Sequence, residues 1–408
     1  MANCTTLFFI FLNDHFLLNI IFYAISARPT VNPQMPDGTY IGYQNPLIAR
    51  DHSGFNKKNN SFVQTSATIS YKIPGVEGLT AKGLFSYDFQ NTLQKKLTTP
   101  YLQTTPQYGT RGENGFLTMT PGNSPHSASG INQLTETHTL FSRFTYTLQL
   151  NYANTFGKHD IGADVVWEQS GTNSRTFSAS KQNFPIVEIP DLNFSTEVTP
   201  NSITGSHTDT GRQGLLFRGN YTYDNKYMIQ ASIRGDWSAK FAKGNRLGVF
   251  PAVSGRWNII DEPWMKWARN GAKMSMLSLR PGWGQVGQQP GAEYLHFSKY
   301  SGVDVYGDMA ATAPNNIRLT TLQWETKTTW NLGSDIGFLD DKFTMDVNVY
   351  SQLTENLLMN NVRIPSSTGY SHLSTKNVGS MLNQGWELNI YGNKCLKIGD
   401  FAAGFNFT

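Results

Sequence analysis

Residues 343–350 read Phe-Thr-Met-Asp-Val-Asn-Val-Tyr, and their alternation decides the fold class. Phe343, Met345, Val347 and Val349 are apolar, whereas Thr344, Asp346, Asn348 and Tyr350 carry polar groups. An extended strand sends successive side chains to opposite faces, so a period of two marks a strand whose faces meet different surroundings. The same period runs through Tyr227, Ile229, Ala231 and Ile233 against Met228, Gln230, Ser232 and Arg234. It recurs in Leu140, Ser142, Phe144, Tyr146, Leu148 and Leu150 against Phe141, Arg143, Thr145, Thr147 and Gln149. Similar segments lie near 62–72, 79–89, 161–168, 213–223, 248–257, 274–284, 321–337, 384–391 and 398–408, which makes about a dozen strands.

The connections fall into two kinds. Asp224-Asn225, Phe156-Gly157-Lys158-His159 and Asp340-Asp341 each separate two alternating segments. Asn, Asp and Gly tolerate the dihedral angles of short β-turns, so these predict tight hairpins. The stretches 90–137, 169–210, 285–320 and 354–383 are long and rich in Pro, Gly, Ser, Thr and Asn. Short turns alternating with long loops are the pattern of a transmembrane barrel, whose periplasmic turns are short and external loops long. Pro281 interrupts an alternating segment without a ladder donor, which predicts a strand end or a bulge there.

Composition agrees with an all-β chain. The 408 residues include 25 Phe, 18 Tyr, 9 Trp and 37 Gly, but only 15% are charged. Mean hydropathy is nevertheless negative, at -0.38, because Asn, Gln, Ser and Thr take the places that Lys and Glu often fill. The formal net charge is +4, and Lys57-Lys58 and Lys95-Lys96 stand as isolated pairs. No dense basic run supports nucleic-acid binding. Cys4 and Cys395 lie at opposite ends of the chain without ligand spacing, so both read as unpaired.

The first 27 residues stand apart. Leu7 to Leu12 and Phe16 to Ala24 are apolar, yet Asn13, Asp14 and His15 divide them and no basic residue precedes Arg28. A signal peptide has a positive start and an unbroken apolar stretch, and a spanning helix needs about 20 apolar residues. Residues 1–44 are therefore read as an atypical N-terminal segment, a fragment artefact or an altered export signal.

Aromatic residues gather near strand ends: Tyr221, Tyr223, Tyr227, Trp237, Phe241, Phe250, Trp257 and Trp330. Rings at headgroup level would produce this placement, and so would core anchors in a soluble protein. Long strands and asymmetric loops favour the girdle. A sheet in hydrocarbon must also close, because an open edge leaves backbone donors and acceptors unsatisfied.

With these features in place, the chain resembles the SusC/RagA-type TonB-dependent outer-membrane transporters. The likeness is carried by NYTYDNKYMIQASIRGDWSAKF (220–241), GVFPAVSGRWNI (248–259) and LRPGWGQVG (279–287). It continues through WETKTTWNLGSDIGFLDDKFTMDVNVYSQLT (324–354), LLMNNVRIPSSTGY and NVGSMLNQGWEL (within 357–388). Asn45-Pro46-Leu47 and Tyr71 to Phe89 are similar to earlier barrel strands. The blocks keep family order over residues 45–408, which reads as a partial transporter barrel domain.

The resemblance implies a larger barrel with a plug inside it, taking up oligosaccharides, peptides or other large nutrients. Energy would come through the TonB complex, and a SusD-like surface lipoprotein would be the partner, with outer-membrane lipid around the barrel. No stretch resembles the plug domain or the TonB-contact segment, and the final barrel strands are also expected to be missing. The chain is thus expected to be an incomplete transmembrane antiparallel β-barrel.

Reactive constellations are not predicted. His138, His159, His207, His296 and His372 are scattered without ligand spacing. Asp340, Asp341 and Asp346 surround a turn and read as solvated residues rather than a glycosidase pair. Gly282, Gly284 and Gly287 form a G-x-G-x-x-G string outside any βαβ context. The chain is thus read as no enzyme, with no catalytic, cofactor or metal site. Arg143, Arg218, Arg234, Lys327 and Asp346 are expected to face the lumen, mostly packing against a plug. Trp283, Tyr294, Phe297 and Tyr300 are read as external-loop aromatics that anchor loops or stack on sugar rings. The alternative reading is a soluble or surface-exposed β-rich carbohydrate-binding module.

Overall fold

The computed structural model describes residues 3–14, 40–41, 47, 54–99, 102–104, 106–111, 117–121, 126–127, 131–195, 202–303, 311–314, 317–370, 372–398 and 401–408. Thirteen strands form one sheet in chain order. They are β1 (Asn3–Asp14), β2 (Phe55–Lys72), β3 (Leu79–Thr98), β4 (Gln133–Phe156), β5 (His159–Gln182), β6 (Ile203–Tyr223) and β7 (Tyr227–Ser238). The remainder are β8 (Leu247–Asn258), β9 (Met274–Gln288), β10 (Glu325–Phe338), β11 (Phe343–Glu355), β12 (Ser380–Ile398) and β13 (Phe401–Phe407). Each pairs antiparallel with its chain neighbour, giving an up-and-down meander. Among the described residues the order is linear, with β1 and β13 at the two edges.

The strands reach further than the hydropathy pattern does. β4 and β5 each have 24 residues and run well into stretches expected to be loop. Their outer thirds replace apolar residues with Thr, Ser and Asn, so the period-two signal fades while the ladder continues. Cross-strand hydroxyl pairs hold that part: Thr137 with Ser178 at 2.9 Å and Thr139 with Thr176 at 3.2 Å. The long connections are also not wholly irregular. Pro106–Arg111 pairs with Leu117–Pro121, Tyr300–Val303 with Ala311–Pro314, and Leu358–Arg363 with His372–Asn377. Asn3–Asp14 joins the sheet through pairs from Asn3↔Thr68 to Asp14↔Lys57. Asn45, Pro46 and the side chains of Cys4 and Cys395 lie outside what is described.

At one end of the sheet the connections are tight. Asp224 and Asn225 have φ of 50° and 54°, and Asp340 and Asp341 have 55° and 61°. Two successive positive φ values match the right-handed twist of the flanking strands, and Asp and Asn accept them most readily among side-chain-bearing residues. The connection from β8 to β9 is longer and folds into short helical turns, where Ile260, Met265 and Ala268 pack together.

Pro281 departs from expectation. It ends no strand and causes no bulge: it sits inside β9, in register with Leu332 of β10. On its other side the β8 pairing skips from Ser254↔Gly282 to Trp257↔Leu279 without changing register. The missing N–H therefore interrupts one ladder locally, opposite Gly255, while the second ladder remains intact. A proline needs only that one partner strand forgo its donor.

Candidate functional site

The register sorts the sheet into two chemically opposite faces. One carries Phe144, Tyr146, Leu148 and Leu150 of β4 beside Val165 and Ile161 of β5, then Phe217 of β6 against Ile233 of β7. It continues through Val253 and Trp283, Trp330, then Leu332 against Val349 against Trp386. These side chains point away from other protein. Trp386 is 71% exposed, Trp330 62% and Ile229 52%. A surface of this kind in water would forfeit roughly 25 cal/mol for each Å² left uncovered, and soluble monomers rarely expose so large an apolar patch. Among the described residues the buried apolar clusters lie at the ends of the sheet's strands instead, beneath their connections.

One rim of the apolar face is aromatic. Tyr223 stacks near Tyr227 with centroids 6.4 Å apart, and Tyr227 near Trp257 at 6.3 Å. His159 lies 4.9 Å from the Tyr223 ring. The polar ends of this girdle are held: the Tyr227 hydroxyl donates to Glu262 Oε1, as does Trp257 Nε1 at 3.1 Å. The Tyr227 and Trp257 hydrogen bonds stabilise the Glu262 carboxylate and draw its pKa below the ordinary value. In the adjoining turn Asp224 is likewise lowered, by hydrogen bonds from Lys158 and Lys226. The remaining aromatics divide. Phe241 and Phe250 are core, packed with Trp324 at 4.9 and 5.5 Å beneath the 289–324 connection. Trp330 sits mid-strand beside Trp283, 6.0 Å away.

The opposite face is a ladder of ion pairs. Arg143 of β4 reaches its register partner Asp88 of β3 at 2.6 Å. Arg218 of β6 grips its register partner Asp164 of β5 with Nε at 2.9 Å and Nη2 at 2.6 Å. Asp164 also accepts from Asn151 at 2.7 Å and Gln149 at 3.1 Å. Further along, Asp236 holds Arg234 at 2.9 Å and Arg212 at 3.2 Å, with Glu168 3.5 Å from Arg234. Arg280 of β9 then bridges Asp335 at 2.8 Å and Asp346, and Asp335 meets Arg256 at 3.4 Å.

Glycines make room for these long side chains. A Cβ on Gly333 would lie 2.5 Å from Asn348 Oδ1 and 3.1 Å from Arg280 Nη2, and one on Gly214 would lie 2.6 Å from Arg234 Nη2. Two polar atoms of the face, Asp88 Oδ1 and Arg280 Nε, are buried without a hydrogen-bond partner among the described residues. The face is therefore braced within itself by its own ion pairs.

Arg143, Arg218, Arg234, Lys327 and Asp346 share this polar face by register, as expected. Asp346 is a strand residue paired with Arg280 rather than a solvated carboxylate, whereas Asp341 stays in the turn and accepts from Ser275 at 2.7 Å. The acidic partners Asp88, Asp164, Asp236 and Asp335 went unrecognised in the sequence, because only the register aligns them with arginines. Trp283 is also corrected: it lies on the apolar face of β9, not in a loop. Tyr294 and Phe297 are loop residues 6.2 Å apart, and the Tyr294 hydroxyl ties its loop to the Asp209 backbone at 2.8 Å. Gly282, Gly284 and Gly287 lie within antiparallel β9, not at a dinucleotide turn. Among the described residues, no three His, Cys, Asp or Glu side chains cluster as metal ligands.

Comparison with known proteins agrees with this geometry. The family model for the TonB dependent receptor-like β-barrel matches residues 11–408. The TonB-dependent receptor SusC of Bacteroides thetaiotaomicron is 26% identical over 371 residues, covering 88% of this chain and 33% of that protein. The TonB-dependent receptor P39 of Formosa agariphila is 29% identical, over 87% of this chain and 32% of that protein. Among solved structures, the RagAB peptide importer in its closed-closed state superposes with a TM-score of 0.72 at 20% identity, covering 87% of this chain and 36% of that one. The chain thus spans about a third of the length of these relatives.

Proposed function

From the premise that this chain belongs to the TonB dependent receptor-like β-barrel family, we propose that it forms part of the barrel of a transporter for large nutrients. The family is one of outer-membrane transport proteins, not of catalysts, and the chain is an outer-membrane protein. The cargo class we assign is oligosaccharide or peptide, with energy delivered through TonB and a SusD-like lipoprotein at the surface. The likeness to the RagAB peptide importer supports the peptide class, and the oligosaccharide class follows from the sequence resemblance alone.

One observation carries the reading: an apolar, aromatic-rimmed face and an ion-paired face alternate residue by residue through the meander. The first face suits hydrocarbon, and the second suits a water-filled or plug-filled lumen. We assign residues 45–408 to the barrel domain, with Asn3–Asp14 of the N-terminal segment 1–44 added to its sheet as an edge strand.

Disruption of the encoding locus in its native host tests the transport role. Growth should fail on one polymer class, oligosaccharides or peptides, while growth on the corresponding monomers continues, and loss of TonB should reproduce the defect. Unchanged growth on every such polymer would refute it.

A further inference from the structure

We propose that the outward face of β4, β5 and β6, just above the apolar band on the long-loop side, binds the phosphorylated sugar headgroup of an outer-leaflet glycolipid. The inference rests on the outer-membrane reading above and concerns a surface that faces away from any transport path. Followed outward along β5, the lipid-side positions read Ile161, Ala163, Val165 and Trp167, then Gln169, Gly171, Asn173 and Arg175. The change from apolar to polar at Gln169 marks where hydrocarbon gives way to headgroups, and the strip above it has its own relief and charge.

The lower part is a polar recess of about 600 Å³. Gly171 and Gly211 are register partners there, and the Phe144 ring lies across Gly171, so close that a Cβ would meet it at 2.6 Å. Gly171 is buried beneath that ring, whereas a Cβ on Gly211 would meet nothing nearer than the Ser170 carbonyl oxygen at 4.0 Å, so the recess opens over Gly211 between Phe144 and Trp237, with Gln169 and Asn173 at its edges. Aromatic faces beside side-chain amides match a sugar ring, which offers apolar C–H faces and hydroxyls that both donate and accept. Immediately above is a second recess of about 520 Å³. It is lined by Arg175 with its register partner His207, and by His138.

The strip carries one carboxylate and one guanidinium, and they do not pair with each other. Asp209 is engaged by Asn173 Nδ2 at 2.6 Å and by His207 Nε2 at 3.2 Å. His138 Nε2 is 2.6 Å from Asn91. Arg175 is exposed and makes no ion pair among the described residues. A guanidinium free above an aromatic notch fits a phosphate bidentately, while acyl chains continue down the apolar face over Val165 and Phe217. Phosphate and sugar in one headgroup, fixed to acyl chains, satisfy all three zones.

The test uses the protein extracted intact from outer membranes and held in mild detergent. Its binding is measured to purified phosphorylated outer-membrane glycolipid, the same lipid after phosphatase treatment, phosphatidylglycerol and inorganic phosphate. The parent should prefer the phosphorylated glycolipid over the dephosphorylated form by about tenfold, as expected for one charge-assisted contact. Arg175→Gln should abolish that preference and Arg175→Lys should keep most of it. Gly211→Val, which fills the open part of the notch, should weaken both glycolipid forms alike. Arg269→Gln, at the opposite end of the sheet and paired to Asp261, should bind as the parent does.

Equal affinity for the two glycolipid forms, or no effect of Arg175→Gln, would overturn the proposal. So would phosphatidylglycerol binding as tightly as glycolipid, which would reduce the site to charge alone, or competition by inorganic phosphate at the glycolipid's own concentration, which would make it a site for the free ion. Heat-modifiable migration reports the barrel separately. A folded barrel without glycolipid preference sinks only this site, whereas a parent that never migrates as a barrel sinks the membrane reading on which it rests.

Discussion

Replacing Arg218 by Met would leave the Asp164 carboxylate stranded. The Asp164 side chain is 4% exposed and keeps only Asn151 and Gln149 as donors once the guanidinium is gone. Two charge-assisted contacts, 2.9 and 2.6 Å long, disappear together. Hydrogen bonds to charged groups contribute roughly 1.5–3 kcal/mol each. Because the Arg218 side chain is itself 44% exposed, solvent screening reduces the sum, and the expected loss is about 2–3 kcal/mol. Asp164→Leu together with Arg218→Met should recover most of it, since no charge is then left buried. Tryptophan fluorescence during urea titration in lipid vesicles would measure all four members of the cycle. A single Arg218→Met within about 0.5 kcal/mol of the parent, or a double variant as unstable as the sum of the singles, would refute the view that register-paired charges brace the polar face.

Other perturbations probe different parts of the fold. Gly333→Val should cost about 1–3 kcal/mol, because its Cβ must displace Asn348 first and Arg280 second; urea titration and relief of most of the effect in an Asn348→Ala background would check it. Val349→Arg places a charge in the lipid and should cost about 2–4 kcal/mol in vesicles, whereas Asn348→Arg, one residue along on the polar face, should be far milder by the same assay. The pKa of Asp224 is depressed by Lys158 and Lys226, so its contribution to stability is present above its unfolded-state pKa and is lost as pH falls through the folded-state value. Lys158→Gln should raise that folded-state pKa and narrow the acid window, measurable by carboxyl NMR titration.

The parts legible in the sequence are those where face and period coincide. Phe343–Tyr350 and Tyr227–Arg234 alternate because hydrocarbon lies on one side and polar contacts on the other, so the strands and their sidedness could be read together. Asp224-Asn225 and Asp340-Asp341 gave away their turns because the backbone there needs positive φ. Above the membrane the same strands face water on one side and polar contacts on the other, and Thr137, Thr139, Ser178 and their neighbours carry no hydropathic contrast. Those extensions therefore carry the sequence signature of loops. The acidic half of the polar face was hidden for another reason: Asp88 and Arg143 are 55 residues apart, and only the β3–β4 register joins them. Trp283 reads as a loop residue because Pro281 and the glycines around it resemble a loop, although one strand's ladder suffices to keep β9 extended.

Spin-label accessibility along Phe343–Glu355 tests the central claim most directly. Single labels would be placed on a background in which Cys4 and Cys395 are replaced by Ser, with the protein in lipid vesicles. The account predicts a period of two along the membrane-spanning part, with Met345, Val347 and Val349 positions relaxed by oxygen from the bilayer and Asp346, Asn348 and Tyr350 positions sheltered from it. Equal accessibility of both sets to a water-soluble relaxation agent, with no oxygen maximum at the odd positions, would contradict it.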